Sequence, residues 1–131
     1  MKITNLCPVV IVPTEEEAKS LVRLFEELGF ESKHSQLFRI KDGQEAVQYV
    51  MRDANGNEID IMNSPIVSED VIRIRLNVDN FTEAYDLLNE RGFKNTLDGL
   101  VYYSGSSLTS PMISKSGLGF SLVQHTKNEN R

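Results

Sequence analysis

The chain has 131 residues, 40% of them hydrophobic and 25% charged, with 14 Lys+Arg against 19 Asp+Glu. Such a length and apolar share suit one compact domain and exclude intrinsic disorder. A net charge of -5 without a Lys/Arg run argues against a nucleic-acid partner. The most apolar stretch, Leu6 to Val12, falls far short of the ~20 residues that span a bilayer, so neither a membrane partner nor a signal peptide is expected. A single cysteine, Cys7, cannot form an internal disulfide, and a cytoplasmic location is the expectation.

Val9-Val10-Ile11-Val12 reads as a strand, and Thr14 with Glu17 three residues on reads as a helix start whose side chains satisfy the free amides of the first turn. Ala18, Leu21, Val22, Phe25 and Leu28 follow at helical spacing, and Leu28-Gly29-Phe30 ends the helix at a residue that accepts the left-handed conformation. Polar, β-rich sequence comes next, with a turn at Lys41-Asp42-Gly43. Val47, Tyr49 and Met51 alternate with Gln48, Val50 and Arg52, and Asn55-Gly56 reads as a two-residue hairpin turn before Glu58 to Met62. Pro65 breaks a linker from Asn63 to Asp70. The pattern then begins again. Val71 to Val78 is a strand, Asn80 and Glu83 repeat the helix start, Arg91-Gly92-Phe93 repeats the helix end, and Ser116-Gly117 precedes a last strand at Phe120 to Val123.

The offsets are 66 residues from Thr14 to Asn80, 63 from Gly29 to Gly92 and 61 from Gly56 to Gly117, so the first helix is expected to be three residues longer. This internal duplication predicts an α+β domain of two β-α-β-β-β modules, about 3–63 and 71–126, with a linker at about 63–70 and a tail at 127–131. The linker is too short to separate independent domains.

These residues resemble the vicinal oxygen chelate superfamily, the glyoxalase, bleomycin-resistance and extradiol-dioxygenase group. The likeness is carried by Val12-Pro13-Thr14, Leu28-Gly29-Phe30, Asp53 to Ile61, Asn77-Val78-Asp79-Asn80, Arg91-Gly92-Phe93 and Ser116 to Leu122. It implies two modules curling into an open, incomplete barrel with helices outside and a ligand cleft inside, and a homodimer. It also implies where metal-dependent members would place their ligands: at Cys7 and Asp60 in the first half, and at Arg73 and Ser121 in the second. Arg73 is a permanent cation where an imidazole would be needed and Ser121 is a poor ligand, so no cofactor is expected and a divalent metal is the minor alternative.

The strand Val71 to Val78 carries the most chemical information. Ile72, Ile74, Leu76 and Val78 share one face, assigned to the helix side, which leaves Arg73, Arg75 and Asn77 facing the cleft. The matching positions of the first half, Cys7, Val9 and Ile11, are apolar. One greasy and one cationic wall suit an amphipathic or anionic organic ligand. Asp60, Ser121, His125, Tyr102 and Tyr103 join Arg73, Arg75 and Asn77 as candidate ligand-binding residues, with Tyr49 weighed equally as core. The competing account pairs Arg73 with Asp60 or Glu58. His34 reads as a solvated strand residue, Cys7 as a small buried hydrophobe, and Ser104-Gly105-Ser106-Ser107 as a plain loop. The expected function is ligand sequestration or sensing without metal; the alternatives are a divalent-metal lyase, isomerase or dioxygenase, and a degenerate protein-interaction module.

Overall fold

The computed structural model describes residues 1–39, 43–96, 99, 101–103 and 107–125. Lys41-Asp42, Ser104-Gly105-Ser106 and the tail therefore lie outside the described residues, as do the side chains of Tyr102 and Tyr103. The elements are β1 (Ile3–Val12), α1 (Glu15–Glu27), β2 (Glu31–Arg39), β3 (Glu45–Arg52), β4 (Glu58–Asn63), β5 (Val71–Val78), α2 (Phe81–Glu90), β6 (Lys94–Asn95), β7 (Tyr102–Tyr103), β8 (Ser107–Ile113) and β9 (Gly119–His125). They form an α+β fold of two compact units, Cys7–Ile72 and Met1–Leu6 with Arg73–Arg131. β1 contributes its opening residues to the second unit and the remainder to the first.

In the first unit the strand order is β2-β3-β4-β1. β1 runs parallel to β4, with Val9 opposite Asp60 and Ile11 opposite Met62. α1 covers one face. Ala18, Val12, Met51 and Ile61 are buried beneath it, joined by Leu21, Val22, Phe25 and Tyr49. Tyr49 thus belongs to the helix-side core of this unit. Cys7, Val9 and Ile11 alternate to the other face and are also buried, Cys7 at 2% exposure.

The second unit repeats this plan. β5 runs parallel to β9, with Arg75 opposite Ser121 and Asn77 opposite Val123, and β8 is antiparallel to β9. The strand that corresponds to β2 is broken into two dipeptides, β6 and β7, both paired with β8. Val78, Phe81, Ala84, Met112 and Leu122 form its core, with Phe93 and Phe120 stacked nearby at 5.0 Å. Two hydrogen bonds between Lys2 and Asp79, at 2.7 and 3.1 Å, and one from Thr4 Oγ1 to the Asn77 carbonyl, fasten the start of β1 to this unit.

The helix starts and stops recur residue for residue. Thr14 Oγ1 accepts from Glu17 N at 3.2 Å and Asn80 Oδ1 from Glu83 N at 3.1 Å. The Glu17 carboxylate accepts a hydrogen bond from the Thr14 hydroxyl at 2.9 Å rather than from a backbone amide, a correction to the capping of free amides expected there. Gly29 and Gly92 sit at φ +100° and +91°. Phe30 N donates to Phe25 O and Phe93 N to Leu88 O, the six-to-one bond of a Schellman ending. α1 has 13 residues and α2 has 10, the expected difference of three.

The hairpin at Asn55-Gly56 is not a two-residue turn. Asp53 N donates to Asn57 O and Gly56 N to Asp53 O, which makes a three-residue loop, Ala54 to Gly56, ending in a glycine at φ +84°. The polar residue at its start explains the choice: Asp53 accepts from the backbone of Asn55 and Asn57 and from the Asn57 side chain. Sixty-one residues on, Ser114 does the same with Leu118 and Gly117.

The side chain of Asn57, with its backbone amide and that of Asn55, holds the Asp53 carboxyl below the usual aspartate range. The charged form is therefore favoured by folding. Its contribution is complete above about pH 4 and is lost as the pH falls through the lowered folded value. Urea unfolding of Asp53→Ala beside the natural chain should show a stability gap at pH 6 that narrows steadily toward pH 3.

Candidate functional site

The strand registers decide which side chains share a face. In the second unit Arg73, Arg75 and Asn77 alternate away from Ile74, Leu76 and Val78, which line an apolar groove of about 370 Å³ beside Leu87 and Leu88 of α2. Arg75 stands opposite Ser121 on β9, and His125 lies four residues further along the same strand. The structure thus brings Arg73, Arg75, Asn77, Ser121 and His125 onto one face of one sheet. Tyr102 is in register with Thr109, and Tyr103 with Leu108.

This face is ordered by short contacts. Arg75 donates from a terminal nitrogen to Asn5 Oδ1 at 2.7 Å. Asn77, 7% exposed, lies with its Nδ2 3.3 Å from His125 Nε2. Arg73 lies across Gly119: a Cβ built there would meet Arg73 Cγ at 3.1 Å and Ile113 Cδ1 at 2.9 Å. Glycine inside a strand marks a close approach, and here it seats the guanidinium stem. Asn5 and Gly119 were not among the residues singled out from the sequence. Asn5 continues the alternation of Cys7, Val9 and Ile11 by one step, so the signal was present.

The first unit holds the remaining candidates. Asp60 is fully buried and accepts from Gln48 Nε2 at 3.0 Å. Gln48 is its near neighbour because Val50 is opposite Asp60 on β3. Glu58 pairs with Arg52 at 3.1 Å. His34 is exposed on β2, as read from its polar surroundings.

A buried carboxylate needs hydrogen bonds or a cation, and Gln48 supplies one of the former. Among the described residues no three His, Cys, Asp or Glu side chains are grouped so as to hold a metal ion. The positions that the superfamily resemblance assigns to metal ligands carry a guanidinium at Arg73 and a hydroxyl at Ser121 in the second unit, where Arg73 is laid over Gly119. Neither of these two groups is an ordinary ligand for a divalent ion.

No family model matches the chain, and no curated protein matches it significantly. Solved structures do. Methylmalonyl-CoA epimerase from Mycobacterium tuberculosis aligns over 95% of this chain and 90% of its own, with TM-score 0.69 and 14% identity. Methylmalonyl-CoA epimerase from Streptomyces coelicolor, in complex with 2-nitronate-propionyl-CoA, aligns over 96% and 100%, with TM-score 0.64 and 14% identity. A glyoxalase/bleomycin resistance protein/dioxygenase superfamily member from Vibrio splendidus 12B01 covers 92% and 97%, at TM-score 0.54 and 15% identity. The chain has the vicinal oxygen chelate fold. In this fold the two units' equivalent positions carry opposite chemistry: Cys7, Val9 and Ile11 against Arg73, Arg75 and Asn77. No helix among the described residues is long and apolar enough to cross a membrane.

Filling the gap at position 119 tests the seating of Arg73. Gly119→Val should cost about 1–3 kcal/mol in urea unfolding through overpacking against Ile113 and the arginine stem. It should also move the Arg73 Nε resonance in a ¹H–¹⁵N spectrum; an unmoved resonance and unchanged stability would place Arg73 elsewhere.

Proposed function

We propose that this chain is a small-molecule-binding protein that holds an amphipathic organic anion, without a metal, for sequestration or sensing. The observation that carries the reading is the pair of guanidinium groups, Arg73 and Arg75, on one sheet face with Ser121 and Asn77 beside them. Two planar forks two residues apart offer bidentate hydrogen bonds to a carboxylate or phosphate, and the flanking hydroxyl and amide supply neutral partners. Arg75 donates to the amide oxygen of Asn5, which fixes the orientation of its fork.

The ligand named in the Streptomyces structure supports the ligand class. A nitronate on a CoA thioester is an anion attached to a long amphipathic carrier, bound on the same fold. The same observation favours one second reading, an epimerase or related lyase acting on such a thioester. That reading requires a proton-transfer group, for which His125 is the candidate on the arginine face.

Titration with propionyl-CoA, followed by calorimetry, separates these outcomes from a protein with no such site. The Arg73→Met, Arg75→Met double variant keeps the side-chain stems and removes both charges. It should bind at least tenfold more weakly, since a hydrogen bond to a charged group contributes about 1.5–3 kcal/mol and each 1.4 kcal/mol is a factor of ten. Undiminished affinity in the folded double variant would remove the arginines from the site. Turnover of a chiral acyl-CoA by the natural chain would transfer the case to the enzyme reading.

A further inference from the structure

On the helix side of β5, the second unit leaves an apolar groove of about 370 Å³ that α2 does not fill. The helix covers Met112 and Leu122 through Phe81 and Ala84. Ile74 and Leu76 of β5 remain as the groove floor, between one lip made by the opening of β1 and another made by α2. No polar side chain lines it. Ten large hydrophobic side chains are exposed among the described residues, and four of them, Met1, Ile3, Leu6 and Leu87, stand on these two lips, Leu6 at 57% exposure.

Water in such a groove finds no hydrogen-bond partner, and contiguous exposed apolar surface rimmed by charge marks an interaction face. A small ligand needs polar groups to orient it, and this lining supplies none. The lips also differ in charge. Lys2 is exposed on the β1 lip and Glu83 on the α2 lip at the same end of the groove, where Met1 N lies 3.1 Å from Glu83 Oε1. Leu87 follows Glu83 by one helical turn, and Leu6 follows Lys2 by four strand residues, so the apolar end lies beyond the charged end. Glu90 and Arg91, adjacent at the end of α2, offset each other.

We propose that this groove is the interface with a second copy of the chain, related by a two-fold axis that runs along the groove. Such an axis lays the β1 lip of each copy over the α2 lip of the other, so that every contact occurs twice. Ile3 and Leu6 meet the partner's Leu87, and Lys2 meets the partner's Glu83. An axis across the groove would reverse it end for end and set Lys2 of one copy on the partner's Leu6, a charge against an alkyl side chain. The net charge of -5 makes two copies repel at a distance, and the match of cation with anion at the charged end offsets that repulsion where they touch. The groove lies on the opposite face of β5 from Arg73 and Arg75, so the interface is independent of the anion-binding reading.

The test is analytical ultracentrifugation of the full chain, with native mass spectrometry of mixed variants. Expected is a dimer at micromolar concentration whose dissociation constant rises at least about tenfold in Leu6→Glu and in Leu87→Glu, each with an unchanged circular dichroism spectrum, because each puts a carboxylate into the apolar contact. Lys2→Glu and Glu83→Lys should each weaken the dimer, and a mixture of the two should form the heterodimer in excess, since only the mixed pair sets opposite charges at both lips. A heterodimer present only in statistical proportion, or a dimer indifferent to Leu6→Glu and Leu87→Glu, would overturn the proposal. So would a monomeric natural chain, and uptake of decanoate by that monomer would give the groove to a small ligand instead. None of these outcomes changes what is expected of propionyl-CoA at the arginine face.

Discussion

Parallel pairing of the first strand of each repeat with its last is the constraint on which the rest of the structure depends. Val9 against Asp60, and Arg75 against Ser121, fix the register of both units. A slip of one residue would turn every side chain of the strand to the other face. In the second unit it would drive two guanidinium groups under α2 and expose Ile74, Leu76 and Val78. The apolar demand of the helix side therefore enforces the polar composition of the opposite face, and the candidate site is a consequence of how the core is built.

Two units made on one plan have been given different chemistry at equivalent positions. Thr14 and Asn80, Gly29 and Gly92, Asp53 and Ser114, and the two six-to-one bonds at the helix ends keep the local geometry alike. Against that shared frame, the first unit buries Cys7, Val9, Ile11 and the carboxylate of Asp60, whereas the second carries Arg73 and Arg75, both half-buried, and the buried Asn77. The chemical contrast lies at residues that alternate away from the helices, where the strand geometry tolerates any side chain that can be hydrogen-bonded or solvated. Gly119 shows the accommodation this requires, because the stem of Arg73 lies 3.1 Å from where a Cβ would stand, with Ile113 closer still at 2.9 Å.

Much of this was legible in the sequence because it is local. The cap residues, the glycines ending the helices and the alternation in Val71 to Val78 each rest on neighbours a few positions away, and the three offsets gave the repeat and the α+β fold. The hairpin at Asp53 was misread because the Asn-Gly pair outweighed the aspartate two residues earlier, which holds the longer turn through three hydrogen bonds. The division of β1 between the units, the hold of Asn5 on Arg75 and the pairing of Asn77 with His125 depend on contacts 48 to 77 residues apart in the chain. Periodicity places such residues on a face; only the register says which of them meet.

Native mass spectrometry of the purified protein prepared without chelator, with elemental analysis of the same sample, bears most directly on the claim that an arginine face rather than a metal centre holds the ligand. It reads bound metal, bound organic mass and subunit count together. Expected is a protein without stoichiometric metal that carries, or takes up from added propionyl-CoA, one anionic organic molecule per chain. Stoichiometric zinc, iron, manganese or nickel would contradict this and direct attention to Asp60 and the histidines.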